Sequence, residues 1–97
     1  MIRVVRLHFK DEKIEDFKNL FEERKEKIRH FPGCSYLELW QDEHDKAVFY
    51  TYSHWGNPSH LEDYRISELF EETWAIVKPW FAQKPMAFST NSIVKLP

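Results

Sequence analysis

The side chains of this sequence that could do chemistry are five histidines, one cysteine and many aromatic rings. The histidines are His8, His30, His44, His54 and His60, and no two stand at HxH or HxxxH spacing. Cys34 is alone. A metal site would have to be assembled from distant parts of the chain, so none is expected. No glycine-rich loop is present to cradle a phosphate, so no nucleotide fingerprint is found. Cys34 follows the turn glycine Gly33, where a buried, inert thiol is the default, since a reactive one needs a lowered pKa. The rings remain. Tyr64 could aim its hydroxyl at a substrate oxygen, or be a half-buried tyrosine with a wet hydroxyl. Trp74 could wall a pocket, or fill the core. His54 carries an imidazole, the side chain most often used to move a proton. It also lies beside Tyr50 and Tyr52 on a strand, where it would equally serve an interface, and His8 shares that face by alternation.

These candidates are positioned by strands and helices whose periods are legible. Ile2 to Phe9 alternates and is rich in Ile, Val and Leu, which predicts a strand. Asp11 is a plausible N-cap for the helix that follows. Its apolar stripe is Ile14, Phe17, Leu20, Phe21, Ile28 and Phe31, and the charge run Glu22 to Lys27 is its solvated face. Phe31-Pro32-Gly33 stops it, because the residue before a proline leaves the helical region. Cys34 to Gln41 is a second strand, Asp42 to Asp45 a polar turn, and Lys46 to Trp55 a third strand. Asn57 caps a short helix with Pro58 at its first position, running to Arg65. Ser67 caps a further helix over Glu68 to Phe81, striped by Phe70, Trp74, Val77 and Phe81, with Pro79 tightening its last turn. Pro85 to Leu96 is the last strand. The order βαββαβ predicts an α+β, ferredoxin-like domain with an antiparallel sheet and both helices on one face.

Length and charge bound the rest. The 97 residues make one domain, residues 1–97, with one modest core. Phe, Trp and Tyr are 16% of the chain, more than that core hides, so some must line a pocket or an interface. Fourteen Lys and Arg against sixteen Asp and Glu leave no basic excess for a phosphate backbone, which argues against nucleic acid. No apolar run approaches a membrane span, and Ile2 to Leu7 lacks the apolar core of a signal peptide. With a lone cysteine, a cytoplasmic location is expected. On the third strand Val48, Tyr50, Tyr52 and His54 point one way, and Phe49, Thr51, Ser53 and Trp55 the other. Tyr36 and Trp40 oppose Leu37 and Leu39. Neither face is polar, and helices cover only one. A second copy of the same sheet is the expected cover, giving a homodimer.

Several segments resemble a known family. Phe31-Pro32-Gly33-Cys34, Phe49-Tyr50-Thr51-Tyr52-Ser53-His54-Trp55, Leu61-Glu62-Asp63-Tyr64-Arg65, Ser67-Glu68-Leu69-Phe70 and Trp74 are similar to the antibiotic biosynthesis monooxygenase family, over nearly the whole chain. The resemblance implies a dimeric α+β barrel with a ligand pocket between sheet and helices in each subunit. It implies a cofactor-independent monooxygenase in which a phenol or anthrone-like substrate is deprotonated and itself reduces dioxygen. The candidate catalytic residues are then Tyr64, Trp74 and His54, the ligand is a small aromatic or quinol-type compound, and no cofactor is expected. A non-catalytic dimer binding a small hydrophobic ligand is the alternative. The family's haem-degrading branch resembles a pattern of Asn, Trp and an iron-ligating His. Aligned through Arg6-Leu7 and Trp55, Val5, Tyr64 and Trp74 occupy those positions, so haem degradation is disfavoured.

Overall fold

The strands of this computed structural model, which describes residues 1–97, are β1 (Ile2–Phe9), β2 (Cys34–Gln41), β3 (Val48–Trp55) and β4 (Phe81–Thr90). They form one antiparallel sheet in the order β2-β3-β1-β4. The helices are α1 (Ile14–Arg29), α2 (Pro58–Arg65) and α3 (Glu68–Val77). This is the ferredoxin-like α+β arrangement that the element order predicts. The register places Val4 opposite Tyr52 and Val5 opposite Thr51. Alternation then gives β1 one row of Arg3, Val5, Leu7 and Phe9 and another of Ile2, Val4, Arg6 and His8.

The core lies where the first row meets α1 and α3. Leu7, Phe9, Phe17, Phe49 and Val77 are buried together. Phe9 stacks on Phe17 at 4.3 Å and on Phe81 at 4.9 Å between ring centroids. A smaller cluster of Cys34, Trp55 and Leu61 closes the other end. There Gly33 adopts φ 94°, a conformation glycine takes without steric cost. A Cβ at Gly33 would clash with the side chain of His60, and the Gly33 carbonyl accepts from the Gly56 amide at 2.9 Å. These contacts tie the end of α1 to the start of α2.

The helix starts follow side-chain chemistry where a cap is available. Asn57 Oδ1 accepts from the amides of Ser59 and His60, with Pro58 at the first helical position. Ser67 Oγ accepts from Phe70 N. Asp11, expected as an N-cap, instead lies inside a 3-10 turn over Asp11–Lys13, and α1 begins without a side-chain cap. The amide of Lys10 is engaged by the Trp80 carbonyl at 2.9 Å, so tertiary pairing fixes the chain there.

Three boundaries differ from the sequence-based expectation. β3 starts at Val48, not Lys46, because Asp42 and Asp45 take the turn amides: Asp42 accepts from His44 and Asp45, and Asp45 from Ala47. α3 ends at Val77, and Lys78–Trp80 is a 3-10 turn carrying Pro79, which cannot donate to a continuing helix. β4 runs over Phe81–Thr90 instead of Pro85 to Leu96. Pro85 falls where the β1–β4 register shifts, between the pairs Arg6↔Met86 and His8↔Gln83, as expected for a proline in an edge strand. The strand stops at Thr90 because Thr90 already pairs with Ile2, the first residue of β1. No helix is long and apolar enough to cross a membrane.

Candidate functional site

The helices do not fill the space above the sheet. A cavity of about 390 Å³ lies between them and the inward row, floored by Val5, Thr51 and Ser53. Tyr64 from α2 and Phe70 and Trp74 from α3 also line it. It separates the two dry clusters, since Leu7, Phe17 and Val77 line one end and Trp55 and Leu61 the other. A second hollow of about 290 Å³ lies outside against α1, rimmed by Lys18, Glu22 and Gln41. It brings no catalytic candidate together.

The walls of the inner cavity are a chain of rings. Tyr64 meets Phe70 edge-on at 5.2 Å, and Phe70 stacks on Trp74 at 5.6 Å and 10°. Tyr64 also meets Phe31 at 5.3 Å and Trp55 at 5.1 Å. Trp74 leans on Phe81 at 5.5 Å. Ser67 makes this possible by ending one helix and starting the next: its hydroxyl donates to the Tyr64 carbonyl at 2.6 Å and accepts from Phe70 N at 3.2 Å. The short break turns the chain so that residues 64 and 74 face one space.

The polar groups of the cavity are few. Ser53 Oγ accepts from Trp55 Nε1 at 2.9 Å. Thr73 Oγ1 donates to the Leu69 carbonyl at 2.8 Å and accepts from Arg24 at 2.9 Å. Both are occupied within the chain. Burial, and to a lesser degree the Cys34 thiol, pushes the Tyr64 phenol up to about 12. It therefore keeps its proton at neutral pH, which leaves it a hydrogen-bond donor and a poor base. Thr51, Arg3 and Arg65 complete the polar lining. No carboxylate and no imidazole lines the cavity.

The sequence candidates thus divide. Tyr64 and Trp74 share the cavity. His54 does not line it; on the other sheet face its Nε2 lies 2.9 Å from the Tyr52 hydroxyl and its ring 5.0 Å from Tyr36. His8 is on that face too, 3.8 Å from Asp45. Cys34 is buried, and burial pushes its thiol up. Val5, at the position the haem-degrading pattern gives to Asn, lines the cavity with Tyr64 and Trp74. Sequence reasoning passed over Arg3 and Arg65. Arg3 had a signal, as the one charged member of the row Arg3, Val5, Leu7, Phe9. No three His, Cys, Asp or Glu side chains are placed to hold a metal ion.

The other sheet face carries Tyr36, Glu38, Trp40, Tyr50, Tyr52 and His54 in register with Ile2, Val4, Arg6, Met86 and Phe88. Glu38, on the edge strand β2, accepts from the Tyr36 hydroxyl and from Trp40 Nε1 at 2.7 Å. These two bonds hold its carboxyl below the usual range.

Comparison with known proteins agrees with this architecture. A family model described as "Antibiotic biosynthesis monooxygenase" matches residues 1–75. A crystal structure of an antibiotic biosynthesis monooxygenase superposes with a TM-score of 0.88 at 22% identity, covering 97% of this chain and all of the other. A candidate antibiotic biosynthesis monooxygenase from Nitrosomonas europaea gives 0.88 at 17% identity, covering 96% of this chain and 98% of its own. One from Caulobacter crescentus CB15 gives 0.87 at 18% identity, covering 96% and 89%. At these identities the likeness speaks for the fold. No match is found among curated proteins.

Proposed function

The chain belongs to the antibiotic biosynthesis monooxygenase family, and from that membership we propose that it oxidises a small aromatic or quinol-type compound with dioxygen and no cofactor. The observation that carries the reading is the cavity of about 390 Å³ walled by Tyr64, Phe70 and Trp74. Its size and apolar walls suit a planar ring, and Tyr64 in its lining makes no side-chain hydrogen bond within the chain. In such a reaction an activated CH₂ of the substrate becomes C=O. One oxygen atom enters the new carbonyl and the other leaves as water, with the substrate supplying the electrons. The protein's part is to bind the ring, exclude water and stabilise the oxyanion that forms. Tyr64, held protonated, donates a hydrogen bond to that oxyanion. Trp74 stacks on the ring. His54 has no place in this step; it belongs to the second sheet face, where a second copy of the chain covers Tyr36, Trp40, Tyr50 and Phe88 in a homodimer.

Haem degradation is not supported by the donor set. The one cavity residue able to ligate iron is Tyr64, whose phenol is pushed up to about 12 and hemmed in by Phe31, Trp55 and Phe70.

The test is oxygen uptake with a panel of hydroquinones, anthrones and catechols, with and without chelator. Protein-dependent uptake insensitive to chelator is expected. Tyr64→Phe should keep ligand affinity while lowering the rate by roughly tenfold, the loss of one transition-state hydrogen bond. Trp74→Ala should weaken binding. Ligand binding without uptake would instead establish the non-catalytic reading. If Tyr64→Phe and Trp74→Ala alter neither rate nor affinity, the site lies elsewhere.

A further inference from the structure

Two arginines line the cavity and no carboxylate does. Arg3 is on the inward row of β1, where every later member of the row is apolar. It pairs across the sheet with Ser89, whose Oγ accepts from its guanidinium at 2.9 Å. That contact is neutral. Arg65 ends α2, and its ion pair is with Glu62 at 3.1 Å, an exposed pair three residues back on the same helix. Exposed pairs of this kind are weak and exchange readily. A half-buried guanidinium on a helix-facing row, with a second cation beside it, is an arrangement that folding alone disfavours. Burial lowers the Arg3 pKa first and the Arg65 charge second, and Glu62 only partly offsets them.

From this geometry we infer that the ligand of the cavity is an aromatic acid, seated with its ring against Tyr64 and Trp74 and its carboxylate between Arg3 and Arg65. The inference rests on the reading of this cavity as the ligand site and names the class of compound it selects. An arginine fork matches a carboxylate in two parallel hydrogen bonds, and both guanidinium groups have donors left after Ser89 and Glu62. The carboxylate would relieve the Arg3–Arg65 repulsion. The arginines are also what this cavity offers in place of a base. Their positive field favours the ionised form of any acidic group on the ring, so the ligand can enter already ionised and no side chain need act as its base.

The experiment compares 2-naphthoate with its uncharged analogue 2-naphthamide by isothermal titration calorimetry. The wild type should bind the acid roughly tenfold or more tighter than the amide, with an affinity that falls as salt rises. Arg65→Gln and Arg3→Gln should each weaken naphthoate by roughly tenfold, and the double variant more, while naphthamide changes little. Unchanged naphthamide binding also reports that the cavity is intact. Arg3→Lys, which keeps the charge and loses the fork, should recover part of the affinity. Equal affinity of acid and amide in the wild type overturns the inference and leaves the aromatic cavity standing. A preference for the acid that survives in the double variant also overturns it. If neither compound binds, the reading of the cavity as an aromatic site fails as well.

Discussion

On the helix side of the sheet Phe9 and Phe49 are each 1% exposed, whereas on the other side Tyr36, Trp40, Met86 and Phe88 are 40–49% exposed. The same four strands present both sets, by simple alternation. The helix side has three helices to cover it and still keeps a cavity, because the rings of Tyr64, Phe70 and Trp74 brace one another and cannot collapse into it. The other side has nothing in the chain to cover it. Its polar atoms are instead paired along the surface, through Glu38 to Tyr36 and Trp40 and through His54 to Tyr52. Incomplete burial therefore has two different causes in one small domain. One is a cavity held open beneath the helices, and the other is an aromatic sheet face with no helix over it.

The largest expected effect separates the two sides directly. Phe9→Ala should lose about 3–5 kcal/mol of stability, the usual cost of emptying a packed aromatic site. Phe88→Ala should cost less than about 1 kcal/mol in dilute solution and more as protein concentration rises, because a dimer couples stability to concentration. Urea denaturation of both variants at two concentrations measures this. A concentration-independent cost for Phe88→Ala would remove the case for a covered second face.

A second effect is confined to the cavity and to high pH. Tyr64 is raised to about 12 in the folded chain, against about 10 unfolded. A raised pKa means that the folded state holds the proton more tightly. The stability this gives is complete below the unfolded value and is lost as pH climbs through the folded one. Over the window from about pH 10 to about pH 12 the wild type should lose about 2–3 kcal/mol that Tyr64→Phe does not lose. Below that window the two should differ little. Denaturation of both proteins across the range checks it, and parallel curves would mean that Tyr64 is open to water.

Much of the fold was legible because its signals are local. Ile2–Phe9, Cys34–Gln41 and Pro58–Arg65 coincide with the sequence reading, since alternation and the Asn57-Pro58 cap need no tertiary information. The misread ends are where distant backbone decides. The Trp80 carbonyl takes the Lys10 amide, and β4 ends where β1 has no residues left to pair. For the site, Trp74 could be named from the apolar stripe of its helix and Tyr64 from the family resemblance. The break at Ser67, legible as a cap, was expected to let the chain fold back and bring both over the sheet, and both line one cavity. Arg3 was missed because an arginine within a strand reads as surface until the register shows which way its row faces.

The smallest expected effect tests whether the second face is a surface or an interface. Trp40 stacks on Tyr52 at 4.8 Å and 23°, across the β2–β3 pair one step from direct opposition, since Trp40 itself is opposite Tyr50. Aromatic pairs of this kind contribute about 0.5–1.5 kcal/mol beyond the area they bury. In a monomer exposed to water, a double-mutant cycle of Trp40→Leu and Tyr52→Leu should return a coupling near the low end of that range. In a dimer the same two rings are clamped between sheets, so the coupling should rise toward the high end. Tyr50→Asp decides between these states. A carboxylate at the centre of an apolar interface is left without water, so the variant should sediment at the 11.8 kDa of one chain where the wild type sediments at twice that mass. In the Tyr50→Asp background the Trp40–Tyr52 coupling should therefore drop to its surface value at every concentration. A coupling that is the same in both backgrounds would mean that the stack never feels a partner, whatever the sedimentation shows. The rings of the second face would then serve only to bind the edges of their own strands together.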